Sequence, residues 1–544
     1  MKRLFFLPLI LVMIVALIFG SCAEPEEPTP EPTMPPTEEP GPAPTPTEEP
    51  EPTPGGPIYG GNLRIITSAG PRILGYSVEQ GPMDLFVLLG CAEKVVEYND
   101  KQELVPHLAE SVDIDETAQT ITVTLRKGVK FHDGSECNAD SIAWNYGYQV
   151  ENKRIGYLDA LDRIEVTGSH TLVFHYKGGY NNQLIMGWLW SPPMYSKEAF
   201  EKAGVTEEAR IEWARQNISC TGPFMLKEYK RDDHMTLVRF EDYWGGRPYL
   251  DSLTYIFIPD AVTASAMMQG GEADMWLGPP LNEQIALQEK GIVRQSGGGS
   301  LNCIVPNFAN PDSRWADPKL RAALEYALDK PSIAAALGFG FATPLKTLVS
   351  EGDIGYDPSF VGHPYDPAKA RALLAEAGFP DGFQTKLLVQ QGPAAMDVST
   401  AIKSNLDAVG IITEIDIADP GRFYGALYGD GWDELILTGA GVLGDMLAAF
   451  HTNFGDQPLT KMSPNSYMVP DELLALSKDS RTYLSKEDQH EAAKKIFNWI
   501  AEEAIIIPIY KFPSAFMRQP YVHSTYLQEG GFTFYFGKMW MEEH

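Results

Sequence analysis

The sequence predicts a mixed α/β protein built from more than one domain, and three observations carry that expectation. The chain has 544 residues, too many for one hydrophobic core, so two or three domains are expected. Its hydrophobic fraction of 44% is that of an ordinary globular protein and excludes a fibrous or mainly disordered chain. Short segments alternating at period two are interspersed with longer ones at helical spacing, the mixture an α/β fold requires.

Met1-Lys2-Arg3 is a cationic start, followed by an apolar run from Leu4 to Phe19 and then Gly20, Ser21 and Cys22. A basic head, an apolar stretch and small residues before a polar break describe an export signal over residues 1–21. Cysteine at the break resembles a bacterial lipobox, which implies cleavage before Cys22 and a diacylglycerol on its thiol; Phe19 stands where that pattern normally has Leu. The alternative is a signal anchor or single membrane span, for which the run is short. Between 23 and 57 lie 14 prolines, nine glutamates and six threonines with no Lys or Arg. Proline at that density excludes helix and sheet and favours an extended polyproline-II spacer, which glutamate repulsion stretches further. Residues 22–57 are therefore expected to tether a folded body.

From Tyr59 onward the elements follow in order. Asn62–Thr67 (NLRIIT) reads as a strand, and Thr120–Arg126 (TITVTLR) alternates Ile121, Val123 and Leu125 as a half-buried one. His132-Asp133-Gly134 is a turn closing a hairpin rather than a catalytic His/Asp pair, and Arg126 and Lys127 are expected to be solvated flanks of a turn. Thr171–Tyr176 and Thr254–Ile258 are further strands. Helices are expected at Lys319–Ala336, behind an Asp317 cap and Pro318, at Pro367–Ala377 between Asp366 and Gly378, and at Lys486–Glu503.

Acidic residues number 73 against 43 basic, a formal net charge of −30. Setting aside Lys2, Arg3 and the nine spacer glutamates leaves −23 for residues 58–544, so the body is acidic in its own right. That argues against nucleic-acid binding and against a polybasic membrane face. Cys91, Cys137, Cys220 and Cys303 form no C-x-x-C and have no His at metal spacing, so neither a metal nor a cofactor is expected. Outside the cytoplasm one disulfide is permitted, with its pairing open; buried free thiols are the alternative.

Several stretches resemble the bacterial extracellular solute-binding proteins of family 5, the oligopeptide, dipeptide and nickel type. They are Leu104–Ser111 (LVPHLAES), Leu125–Gly134 (LRKGVKFHDG), Thr221–Phe224 (TGPF), Tyr243–Asp251 (YWGGRPYLD), Gly270–Asp274 (GGEAD), Asp317–Leu324 (DPKLRAAL), Tyr365–Ala370 (YDPAKA) and Glu376–Phe379 (EAGF). Each is weak alone; in family order over nearly all of 58–544 they are specific. Most are structural: Tyr243-Trp244 would set two aromatics on a core before glycines turn the chain.

The resemblance implies a periplasmic-binding-protein-like fold of the large type II kind, with two lobes closing on a ligand by a hinge. Carried over, the first lobe comprises 58–93, 218–297 and 510–544, with an inserted domain at 94–217, and the second lobe comprises 298–509. It implies a monomeric receptor, not an enzyme, that is anchored outside the cytoplasm and hands a small or peptide ligand to the permease subunits of an ATP-binding-cassette importer.

Gly439–Gly444 (GAGVLG) is a literal G-x-G-x-x-G, between the strand-like Leu435–Thr438 and a possible helix at Asp445–Phe450. It is the one opening for an exported oxidoreductase, although no second strand ending in an acidic residue follows. A hydrolase is disfavoured because neither G-x-S-x-G nor H-E-x-x-H occurs, and no P-loop is present. In peptide-binding members of the family this loop supplies an Arg, a Trp and an Asp, the last holding the peptide amine. Ungapped placement puts Ile436, Gly439 and Val442 there, so a free-amine peptide is disfavoured unless Asp445 substitutes. Gly439 and Gly441 leave room for a bulkier or more neutral ligand, such as an oligosaccharide. Trp276, Asn307, Phe308 and Tyr424 complete the expected ligand-binding set with Gly439, Gly441, Val442 and Asp445.

Overall fold

The computed structural model describes residues 56–543 apart from 81, 100–103, 116, 153–160, 178–186, 188, 191, 297–298, 443–446, 448–449, 451–461, 481–484, 514 and 524–533. The export signal, Cys22, all but the end of the spacer, and Asp445 with most of the helix expected after it lie outside the described residues.

Leu63, Ile65 and Ile66 of strand Asn62–Thr67 are fully buried, which makes that strand the centre of a sheet. The sheet has seven strands, in spatial order Val293–Ser296, Ala515–Arg518, Met275–Leu277, Asn62–Thr67, Ser252–Phe257, His234–Arg239 and Phe224–Lys230. Asn62–Thr67 runs parallel to both neighbours, pairing Leu63 with Leu253 and Ile66 with Trp276. Asp274, fully buried, joins three parts of this sheet. Its carboxylate accepts from the Arg64 side chain at 2.6 and 3.0 Å, from the Arg64 backbone N–H at 2.7 Å and from the Tyr521 hydroxyl at 2.8 Å. A buried carboxylate is stable only when so paired, which gives the Gly-Glu-Ala-Asp stretch its structural role.

A separate four-stranded antiparallel sheet orders Ala109–Asp115, Thr120–Leu125, Thr171–Tyr176 and Leu161–Gly168. Thr120–Leu125 and Thr171–Tyr176 alternate in burial at period two. Their inner residues pack with Ile142 and Tyr146 of helix Ala139–Glu151, whose start is fixed by a reciprocal Asn138–Ser141 capping box.

The second large sheet has six strands: Thr343–Pro344, Ile507–Phe512, Gly299–Pro306, Leu435–Val442, Phe383–Gln390 and Ile411–Ala418. Helix Lys486–Glu502, capped by Ser485, buries Ile496, Phe497 and Ile500 against one face, each contributing roughly 1.5–3 kcal/mol by burial. Tyr510–Phe512, expected with the first lobe, run in this second sheet.

Two expectations are corrected here. Lys319–Ala336 is not one helix but two, Pro318–Tyr326 and Lys330–Gly338. Pro331 has no N–H to continue the first helix, and Asp329 caps the second by accepting from the Ser332 N–H at 3.1 Å. Arg126 is only partly solvated: its Nε donates to the His107 carbonyl at 2.7 Å and its guanidinium lies 5.2 Å from the Trp244 ring centre. Helix Pro367–Glu376 begins at Asp366 and stops before Gly378, whose φ of +90° only glycine adopts without strain.

The family motifs meet around one buried carboxylate. Glu93 accepts from the Tyr243 hydroxyl at 2.7 Å, the Trp244 indole N–H at 2.9 Å and His107 Nε2 at 3.0 Å. Burial alone would raise the Glu93 carboxyl, but the His107 charge and the three donors outweigh it and hold the group below its usual range. Burial likewise opposes the His107 charge, and Glu93 overcomes it and raises the imidazole above its ordinary value.

Candidate functional site

Strand Leu435–Val442 is where the sequence places both the glycine motif and the family's ligand contacts. Leu435, Ile436 and Leu437 are buried, and the strand continues without interruption to Val442, antiparallel to Gly299–Pro306. Gly439 pairs with Asn302, Gly441 with Ser300 and Val442 with Gly299. The expected loop at Gly439 is thus a strand, which corrects the dinucleotide reading. A phosphate-binding fingerprint needs its first glycines in a tight turn with free backbone N–H groups, and here they lie in a ladder.

This strand ends where the two large sheets exchange chain. Val293–Ser296 of the first sheet leads through 297–298 into Gly299–Pro306 of the second, and Ile507–Phe512 returns through 513–514 into Ala515–Arg518. Ser300 pairs with Phe512, so the two crossovers leave the second sheet side by side, with Gly441 and Val442 next to them. Arg294 of the first sheet lies 4.1 Å from the Phe341 ring centre of the second part of the chain.

Ile436, at the family's arginine position, is fully buried in apolar core. Gly439 is exposed, and a Cβ there would stand 3.0 Å from the Leu301 carbonyl, tighter than ordinary contact. Asn302, opposite Gly439 and Tyr510, is half-buried and makes no hydrogen bond through its amide to any described residue. It was not among the expected residues. Its signal was present in the strand LNCIVP, where a lone amide interrupts an apolar run.

The remaining expected residues do not gather at this place. Trp276 is 3% exposed in a core with Ile66, Met268 and Met517, so the indole fills the first sheet's interior rather than lining an opening. Asn307 stands seven residues beyond Ser300, roughly 20 Å along an extended strand. Its amide donates to the Trp432 carbonyl at 2.7 Å and to the Asp433 carbonyl at 3.2 Å, which makes it a brace for that loop. Phe308 packs edge-on to Tyr467 at 5.4 Å and beneath the Arg321 guanidinium. Tyr424 is exposed and stacks on Tyr428, with ring centres 6.0 Å apart. A polar concavity of about 340 Å³ opens beside Lys386, Arg422, Asp430 and Glu434; none of the expected site residues lines it.

The match to known proteins covers most of the body. The model of the bacterial extracellular solute-binding proteins, family 5, matches residues 103–460. The chain belongs to that family. A relative, the glutathione-binding protein GsiB of Salmonella choleraesuis strain SC-B67, is 30% identical over 337 residues, 60% of this chain and 64% of that protein. GsiB of Escherichia coli O157:H7 is 29% identical over 333 residues. The chain therefore spans less than two thirds of the length of these relatives.

Solved structures extend the likeness to the fold. The oligopeptide-binding protein AppA of Bacillus subtilis, in complex with a nonapeptide, superposes with a TM-score of 0.76 at 22% identity, covering 90% of this chain and 100% of its own. DppA of Helicobacter pylori, in complex with the peptide STSA, gives 0.78 at 21%, covering 89% and 99%. MoaA from A. tumefaciens R10, in complex with mannopinic acid, gives 0.76 at 18%, covering 89% and 99%. The family is extracytoplasmic by its description, and its fold is that of the periplasmic binding proteins. Among the described residues no helix is long and apolar enough to cross a membrane.

Proposed function

We propose that this chain is a solute-binding receptor, held outside the cell membrane by a lipid on Cys22, that delivers its ligand to an ATP-binding-cassette importer. The observation that carries the reading is the pair of adjacent crossovers between two sheets in a family-5 chain. Two adjacent connections form a hinge, and a ligand touching both sides favours the closed state by its differential contacts. The first lobe would comprise 58–93, 218–297 and the chain after 513; the second would comprise 298–512. Residues 94–217 form the inserted domain.

The ligand would seat at the crossover end of strand Leu435–Val442, against Gly439, Gly441, Val442 and the Asn302 amide. With Ile436 buried and Gly439 bare, that wall offers space and a neutral hydrogen-bonding group in place of an ion-pairing set. A peptide lacking a free amine, or a polyhydroxylated solute, suits it better than a simple peptide, whose ammonium would need a carboxylate partner. The relatives that bind glutathione and the structures holding peptides and mannopinic acid show the breadth of ligands this family and fold accept.

A thermal-shift screen of peptides, blocked peptides, oligosaccharides and metal complexes tests the reading. Stabilisation without turnover is expected, with blocked peptides or sugars ahead of free-amine peptides. Tight binding of a free-amine peptide would overturn the ligand preference. Stabilisation only by a nicotinamide nucleotide, with a change in its absorbance on adding substrate, would overturn the receptor reading itself.

A further inference from the structure

The body contains four buried thiols, at Cys91, Cys137, Cys220 and Cys303, and they are not equivalently placed. Cys137 lies in the core beneath the four-stranded sheet. Cys303 lies in the core of the six-stranded sheet, its Sγ 3.6 Å from the Thr438 carbonyl. Cys91 and Cys220 share a third core, with Leu88, Tyr195 and Leu253, and both are fully excluded from water.

Their backbones abut. The Gly222 N–H donates to the Cys91 carbonyl at 3.0 Å, and the Phe224 N–H donates to the Gly90 carbonyl at 3.1 Å. A Cβ on Gly222 would fall 2.6 Å from the Cys91 oxygen and 2.9 Å from its Cα, so only glycine permits the approach. The Cys91 Sγ donates to the Leu88 carbonyl at 3.2 Å, and Cys220 lies with it in the same core.

We propose that Cys91 and Cys220 form a disulfide in the exported protein. Two S–H bonds break and one S–S bond forms. The two electrons and two protons pass to a disulfide oxidant of the extracytoplasmic space, a protein or small-molecule disulfide reduced in turn to its thiols by exchange. Exchange needs a thiolate, and burial holds the Cys220 thiol well above its ordinary range; the bond therefore forms before this core closes. The chain leaves for the four-stranded sheet just after Cys91 and returns at Cys220. The bond would ring off about 130 residues at their neck, and such long loops gain most from closure. The proposal rests on the extracytoplasmic location proposed above.

The test uses the full chain expressed with its export signal, recovered from the cell envelope, unfolded in guanidinium with an alkylating agent and read by peptide mass spectrometry. Before reduction, Cys137 and Cys303 should carry the label while a linked Cys91–Cys220 peptide appears; after reduction all four should be labelled. Reduction should lower the Tm of the folded protein by roughly 4 °C. Full labelling of Cys91 and Cys220 without reductant, or a link from either to Cys137 or Cys303, would overturn the pairing. If the protein is found only in the cytoplasm, the location fails instead. Refolding in a glutathione redox buffer then judges the pair alone, and absence of the Cys91–Cys220 link there overturns it.

Discussion

His132 gives the sharpest quantitative test, because the structure specifies its protonation state. Its Nδ1 accepts from the Cys220 backbone N–H at 3.3 Å, while Nε2 lies 3.0 Å from the Gly222 carbonyl and must donate. A second ring proton would therefore point at another donor, in a site with little water. Burial pushes the imidazole down to about 4, although the Gly222 carbonyl, Glu93 and Asp133 pull the other way. The unfolded chain would titrate near 6.5, so between these values it binds more protons than the native state, and stability is lost as pH falls. Taking about 4 and 6.5 as the two values, His132 alone should remove about 2.5 kcal/mol between pH 7 and pH 4.5. Other groups titrate in the same range, so the measurable quantity is a difference. Guanidinium unfolding of the wild type and of His132→Gln at both pH values should show the variant's penalty shrinking by about that amount on acidification. A penalty that stays the same at pH 7 and pH 4.5, within about 0.5 kcal/mol, would refute the assignment of a neutral, half-buried imidazole.

Three further outcomes are expected. Glu93→Gln should cost about 3 kcal/mol at pH 6 and less at pH 9, because the stabilisation from the raised His107 value is complete below 6.5 and fades as pH climbs through the folded value; an equal cost in urea unfolding at both pH values would contradict it. Lys330→Met takes from Glu325, only 1% exposed, its 2.7 Å partner and leaves it His363 at 3.5 Å, so about 3 kcal/mol should be lost, and adding Glu325→Gln should recover most of it. Gly439→Trp should abolish the ligand-induced thermal shift while costing the free protein only about 1–2 kcal/mol from crowding the Leu301 carbonyl; an unchanged ligand shift would place the ligand elsewhere.

Local periodicity made much of the fold legible. Thr120–Leu125 and Thr171–Tyr176 alternate in burial as their sequences do, and Asp366 and Gly378 bracket their helix. Apart from the helix broken at Pro331, misreadings came where a distant partner decides the outcome. Gly439 and Gly441 read locally as a loop but are held extended by the ladder to Asn302 and Ser300, more than a hundred residues away. Trp276 resembles a ligand-stacking aromatic until its neighbours from Ile66 and Met517 are known. Tyr243 and Trp244 were recognisable as a motif, yet their purpose lies in Glu93, 150 and 151 positions earlier. The juxtaposition of Cys91 and Cys220 depends on the same kind of long-range return and has no local signature.

Ala515–Arg518 lies inside the seven-stranded sheet, paired on one side with Met275–Leu277 and on the other with Val293–Ser296. Those two strands are close in sequence but cannot pair with each other; the slot between them waits for a segment synthesised more than two hundred residues later. Completing the first sheet is therefore one of the last events in folding, and such non-local closure is slow. For a chain exported as proposed above, that order would help, since no emerging segment could lock its largest sheet early. The same order has a hazard: a molecule cut short before residue 515 would leave Met275–Leu277 with an open, hydrogen-bonding edge, an invitation to pair with another chain.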